Sequence, residues 1–234
     1  MTICAFRYQA QDFIARPSGA LFWPSQDALI VADLHLGKSA RMARRGGALL
    51  PPFETRATLE RLNAELTASG AARLICLGDS FDDDMAIAEL GDARTLIEDM
   101  CRRHEALWIT GNHDPAPGDL PGRIVPEAQI AGLTLRHIAA LGPDISGHYH
   151  PKLRIAGQRL PAFLIGADHL ILPAFGAYTG GLDHDAPALV GLVPVGRAIV
   201  TGRAARMVPL PLLAAPKGGR AQWARRRAGP PVSN

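Results

Sequence analysis

Short apolar runs in this chain stop directly at acidic, amide or imidazole side chains. Runs at 28–32, 73–77 and 106–109 have the length and aliphatic content of buried strands. They lead into Asp33-Leu34-His35, Gly78-Asp79-Ser80-Phe81-Asp82 and Gly111-Asn112-His113. A buried strand that delivers polar groups to its C-terminal end is typical of metal and phosphate chemistry.

The histidines follow the same pattern. Of eight in the chain, His104, His169 and His184 are interpreted as ordinary surface or loop residues. The other five fall at ends of predicted strands: His35, His113, His137, His148 and His150. Any single one could instead be a buried core histidine that makes its hydrogen bonds within the protein. Residues two apart in extended chain, as in Asp33 with His35 or His148 with His150, point to one side and can share a cation.

Four carboxylates crowd the segment after the second run, at Asp79, Asp82, Asp83 and Asp84. Their mutual repulsion is costly unless cations or strong hydrogen bonds neutralise it, which favours a metal at Asp79 at least. For Asp83 and Asp84 an alternative stays open, because acids also favour the N-terminus of a helix, here predicted over about 85–103.

The remaining pattern predicts an α/β fold. Residues 1–27 are compatible with one or two edge strands, and 53–69 with a helix that stops at Gly70. Strands at 133–136 and 144–146 precede His137 and Gly147-His148. Runs at 163–165, 170–172, 189–193 and 198–200 indicate a second sheet packed on the first. We expect one domain over 1–210 and a basic, Pro/Gly/Arg-rich, disordered tail over 211–234.

Charge is unevenly distributed. Eight of the 25 Lys and Arg residues but none of the 22 acidic ones lie beyond Asp185, so residues 1–185 carry −5 and the rest +8. The tail, with Trp223, suits an anionic partner such as nucleic acid. High-GC codon usage explains the arginine excess equally well.

The three cysteines, Cys4, Cys76 and Cys101, show no CxxC spacing, which argues against a disulfide framework or a zinc-thiolate site. No run approaches the ~20 apolar residues of a membrane span, and the N-terminus lacks the pattern of a signal peptide. We therefore expect a cytoplasmic protein with no membrane association.

The ordered set Asp33-x-His35, Gly78-Asp79-x-x-Asp82, Gly111-Asn112-His113, His137 and Gly147-His148-x-His150 resembles the calcineurin-like metallophosphoesterase superfamily. The resemblance implies a two-sheet, four-layer α/β sandwich of mixed sheets flanked by helices. It also implies a dinuclear metal centre, with manganese expected first and iron or zinc as alternatives, and phosphate-ester hydrolysis by a metal-bound hydroxide.

The resemblance assigns a role to each matching residue. Asp33, His35, Asp79 and His150 would hold the first metal; Asp79, Asn112, His137 and His148 would hold the second. His113 would protonate the leaving oxygen, oriented by Asp82 or its rival Asp83. Among the basic residues that follow the first ligands, Lys38, Arg44 and Arg45 are candidates for phosphate binding, as is Arg41. A solvated basic turn is the alternative for all four.

Blocks at 32–38, 77–81 and 172–182 are similar to the bacterial ligase-associated DNA damage response endonucleases, the PdeM family. This resemblance implies a manganese-dependent phosphodiesterase acting on DNA, single-stranded in preference, beside a ligase and a helicase. The chain departs from the family where a histidine is expected near Asp82. Two alternatives remain. The chain could be a small-molecule phosphodiesterase or phosphomonoesterase, or it could be an inactive scaffold with the phosphoesterase fold.

Overall fold

The structure, a computed structural model, describes residues 2–47, 51, 53–83, 85–113 and 120–212. Its strands are β1 (Cys4–Tyr8), β2 (Gln11–Ala15), β3 (Leu21–Trp23), β4 (Ala28–Val31), β5 (Arg73–Leu77), β6 (Glu105–Ile109), β7 (Arg123–Val125), β8 (Glu127–Ile130), β9 (Leu133–Arg136), β10 (Asp144–Ser146), β11 (Lys152–Ile155), β12 (Gln158–Ile165), β13 (His169–Ile171), β14 (Gly196–Val200) and β15 (Arg206–Leu210). Its helices are α1 (Lys38–Arg44), α2 (Glu54–Ser69), α3 (Ala93–Arg103) and α4 (Pro187–Leu192).

Within the described part of the chain, the first sheet contains seven strands in the order β1 to β7. Strands β1 to β4 pair antiparallel, whereas β4, β5, β6 and β7 run parallel. The carboxyl ends of β4, β5 and β6 therefore meet at one edge of the sheet. The segments that follow these strands, beginning at Ala32, Gly78 and Thr110, are brought together there.

The second sheet contains eight strands in the order β15-β14-β12-β13-β10-β9-β8, with β11 paired to β12. Strand β10 lies between β9 and β13 and is parallel to both. The ends of β9 and β10 are consequently neighbours. His137 directly follows β9, and Gly147-His148 follow β10.

Three apolar clusters separate four layers. Between the sheets, Ile30 and Ile75 of the first pack with Leu135, Ile145 and Leu170 of the second. A second cluster joins the outer face of the first sheet to α2 and α3, and a third joins the second sheet to α4. The two-sheet α/β sandwich expected from the sequence is confirmed.

Several local predictions were wrong. The run 189–193 is not a strand: Pro187 opens α4, in which Leu189 is buried and Val190 is exposed. A short apolar run does not by itself distinguish a strand from a helical turn. The helix predicted over 85–103 begins only at Ala93, because Gly91 adopts a left-handed conformation (φ +51°) that interrupts it.

The N-terminal segment forms three strands rather than one or two. His169, interpreted as an ordinary surface or loop residue, begins β13 and lies with Nδ1 3.0 Å from the buried Asp144 carboxylate. The prediction of a disordered tail concerns residues that, from 213 onward, lie outside the described part of the chain, as does Asp84. Within the described part, no helix is long and apolar enough to cross a membrane.

Candidate metal centre

A first cluster joins side chains that follow β4 with one that follows β10. Asp33, His35 and His150 each offer a ligand atom, and these atoms lie within 4.8 Å of one another. Asp33 Oδ1 is 3.3 Å from His150 Nε2, and His35 Nε2 is 3.4 Å from the same nitrogen. The Asp33 side chain is fully buried, so its charge needs a positive partner at this position.

A second cluster contains Asp79, His137 and His148. His137 Nε2 lies 3.1 Å from His148 Nδ1 and 2.9 Å from Asn112 Oδ1. His137 Nδ1 lies 3.0 Å from the carbonyl oxygen of Leu77, to which it can donate, and this leaves Nε2 as the lone-pair atom. Three electron-pair donors thus face one point, an arrangement that suits a cation.

Asp79 lies between the two clusters. Its Oδ2 is 3.9 Å from His35 Nε2 and 3.4 Å from His137 Nε2, and its Oδ1 accepts a 2.9 Å hydrogen bond from the His113 N–H. Burial opposes ionisation, but contacts with His137, the His113 N–H and His35 outweigh it and lower the Asp79 pKa to about 2. An ionised carboxylate placed between the two clusters would be available to hold a cation in either of them.

The donor chemistry fits divalent metals. The clusters combine carboxylate and amide oxygens with imidazole nitrogens and contain no thiolate, a set suited to manganese, iron or zinc rather than copper. The buried Asp33 and Asp79 carboxylates also require compensating charge. The residues present therefore fit the two-metal expectation, and the seven candidate ligands lie together: Asp33, His35, Asp79, Asn112, His137, His148 and His150.

Asp82 makes a different contact from the one expected. Its fully buried carboxylate lies with Oδ1 2.8 Å from His35 Nδ1, while Oδ2 accepts a hydrogen bond from Arg41 Nε. It orients His35 rather than His113, with Nε2 left to face the first cluster. Asp83, the proposed rival, pairs with Arg44.

The ring of His113 contacts a backbone carbonyl group instead of the expected carboxylate. Its Nδ1 lies 3.1 Å from the Asp82 carbonyl oxygen, and its ring centroid lies 5.3 Å from that of His35. If Nδ1 carries the proton, Nε2 is the atom that can exchange a proton with a ligand. His113 therefore borders both clusters without belonging to either group of metal-binding candidates.

The backbone of the centre is strained. Five candidate ligands have positive φ angles between +45° and +70°: Asp33, His35, Asp79, His148 and His150. A left-handed conformation costs a residue with a side chain roughly 1–2 kcal/mol. Strain of this kind persists where the surrounding structure fixes it, and it concentrates at functional sites.

Three of the basic residues after the first ligands, Lys38, Arg41 and Arg44, lie in α1 rather than in a turn, and Arg45 is the C-cap of this helix. Arg41 is engaged by Asp82, and Arg44 pairs with both Asp83 and Glu89. Lys38 and Arg45 have no ion pair within the described ranges. The anchoring role of Arg41 was missed at the sequence level, because a partner 41 residues away leaves no local signal.

No protein-family model matches the sequence. A comparison with curated proteins also found no match. Among solved structures, the chain is similar to the nuclease MPE of Pseudomonas putida, with a TM-score of 0.67 and 28% identity over 89% of this chain and 100% of that one. It also matches YfcE, a phosphoesterase from E. coli, with a TM-score of 0.38 and 17% identity over 66% of this chain and 83% of that one.

Proposed function

We propose that this chain, a metal-dependent phosphoesterase of the calcineurin-like type, hydrolyses phosphodiester bonds in DNA and acts as an endonuclease on single strands. The observation that carries the proposal is the pair of Asp/His clusters with Asp79 between them. The nuclease among the structural neighbours supports a nucleic acid as the substrate.

Each residue has a separate task in this mechanism. Two divalent cations held by the clusters would polarise a phosphoryl oxygen and lower the pKa of a bound water. Asp82 fixes the ring of His35, and the Leu77 carbonyl fixes that of His137, so both imidazoles present Nε2 without reorganising. This preorganisation positions a phosphate that reaches the centre.

His113 would supply the proton that the leaving oxygen requires. Its contact with the Asp82 carbonyl sets the ring orientation, and its N–H bond to Asp79 ties it to the clusters. General acid catalysis by a positioned side chain contributes typically ~10²–10⁴-fold. Lys38 and Arg45 are proposed to attract substrate phosphates, whereas Arg44 must first exchange its partners Asp83 and Glu89.

The proposal includes manganese as the physiological metal and a cytoplasmic location. It also includes a role in DNA repair beside a ligase and a helicase. The metal and the repair role rest on the sequence resemblance of the blocks at 32–38, 77–81 and 172–182, whereas the cytoplasmic location rests on the cysteine pattern.

The test is manganese-dependent cleavage of closed circular single-stranded DNA, with an aryl phosphodiester and an aryl phosphomonoester assayed in parallel. We expect the circle to be nicked by the parent protein and spared by His113→Ala, whose metal content should equal that of the parent. Hydrolysis of the aryl esters with an intact circle would contradict DNA as the substrate. Lack of bound metal after manganese addition would contradict the metal centre itself.

A further inference from the structure

The loop between β13 and α4 runs alongside the first cluster. Near its start, the Gly176 N–H donates a 3.0 Å hydrogen bond to the Asp33 carbonyl. Near its end, Leu182 N–H donates to the Tyr149 carbonyl, and Gly181 packs so closely on His150 that a Cβ there would collide with the His150 backbone. The segment between these contacts borders Asp33 and His150 and has no role in the mechanism above.

Tyr178 is the conspicuous residue of this segment. Its φ is +56°, in the left-handed region, and 48% of the residue is exposed. A bulky side chain is unfavourable in this conformation, where glycine or asparagine would be preferred. Folding therefore gains little from a tyrosine here, because the backbone is strained and about half of the residue is exposed.

The loop around Tyr178 is nevertheless fixed. Ala177 N–H donates to Thr58 Oγ1 over 3.2 Å, and Thr179 Oγ1 donates to the Gly176 carbonyl over 3.2 Å. Two basic side chains donate to the carbonyl groups that follow Tyr178. Lys152 Nζ lies 3.4 Å from Thr179 O, and an Arg159 nitrogen lies 2.6 Å from Gly181 O. The backbone on both sides of Tyr178 is thus held by hydrogen bonds, two of them from basic side chains.

The chain length limits how far Tyr178 lies from the centre. It is two residues from Gly176, which contacts Asp33, so its Cα lies within roughly 7 Å of that glycine. It is three residues from Gly181, which contacts His150, a span of at most about 11 Å. The tyrosine is therefore within reach of a group attached to a phosphate at the first cluster.

We propose that Tyr178 binds, by stacking, the nucleobase attached to the nucleotide at the scissile phosphate, and that Lys152 attracts the adjoining phosphate backbone, whereas Arg159 must first exchange its partner Asp183. The inference rests on the proposed function and specifies a binding subsite for it. Stacking on an aromatic ring tolerates every base, because each base has a π face, so this subsite would select nucleotides without selecting sequence.

The test compares phosphodiesters that differ only in the presence of a base. The 5′- and 3′-thymidyl p-nitrophenyl esters carry one, and methyl p-nitrophenyl phosphate does not. We expect Tyr178→Ala to raise KM for the preferred thymidyl ester about 5- to 150-fold, the range that corresponds to one base stack. Its kcat/KM for the methyl ester should not change, and Tyr178→Phe should retain the parent's preference.

Tyr178→Gly provides a readout that a purely structural role would not give. Glycine tolerates the positive φ, so this variant should be at least as resistant to urea as the parent while losing the thymidyl preference. A thymidyl preference that is absent in the parent, or unchanged in Tyr178→Ala, would overturn this inference alone. A parent that hydrolyses none of the diesters would overturn it together with the proposed function.

Discussion

Replacing Arg41 with alanine should destabilise the protein, because the buried Asp82 carboxylate would lose its arginine partner. The Asp82 side chain is fully buried and the Arg41 side chain is 17% exposed. Loss of a hydrogen bond to a charged group costs about 1.5–3 kcal/mol, and breaking a buried ion pair costs about 3–5 kcal/mol. Because His35 would still contact Asp82 Oδ1, we expect a loss of about 2–4 kcal/mol in the free energy of unfolding.

The measurement is urea unfolding with a chelator present, so that metal binding does not contribute. Arg44→Ala is a matched control: it removes the same side chain from the same helix, but its partners Asp83 and Glu89 have side chains 25% and 33% exposed. We expect a clearly smaller loss for this variant. Equal losses for the two variants, or a larger one for Arg44→Ala, would refute the buried-pair reasoning.

Three further predictions concern the metal centre and one thiol. Chelation of the purified protein should lower its Tm, because bound cations compensate the buried Asp33 and Asp79 charges; an unchanged Tm would argue against metal in these clusters. In metal-free protein, the lowered pKa of Asp79, about 2 against 3.8, contributes about 2 kcal/mol of stability above pH 4 that is lost as the pH falls to 2. Urea titrations at several pH values should show this loss in the parent and not in Asp79→Asn. Burial and the Glu98 charge raise the Cys101 pKa to about 11, so iodoacetamide at pH 8 should modify Cys101 much more slowly in the folded protein than in urea; equal rates would contradict this.

The strand ends were the most predictable part of the molecule. Apolar runs that stop at a polar residue are a local signal, and β4, β5, β6, β9 and β10 all appeared where such runs occur. The convergence of Asp33 with His150 follows from the way these strands assemble into two facing sheets. The division of the candidate ligands into two groups came from the family resemblance, because predicted strands alone do not give their order in the sheets.

The misplaced elements and contacts depend on tertiary structure. The apolar residues of α4 are the same types that fill a strand, and the segment is helical because Val190 N–H bonds to the Ala186 carbonyl and Val193 N–H to the Leu189 carbonyl. The resemblance assigned Asp82 to orient His113, yet its carboxylate contacts His35, because Asp82 N–H bonds to the Leu36 carbonyl and aligns the two segments. Neither result is visible in spacing along the chain.

The candidate ligands are far apart along the chain, so the ribosome makes them at different times during translation. Asp79, the last acidic residue of the two clusters to be made, leaves the ribosome about 70 residues before His148, a delay of roughly 4–14 s at ~5–20 residues per second, and Asp33 and His35 leave it at least 115 residues before His150. Neither cluster can be complete during this interval, even if the parallel strands of the first sheet have already paired. Metal capture must therefore wait for β10, so that a nascent chain truncated before residue 147 would expose acidic residues without an assembled site.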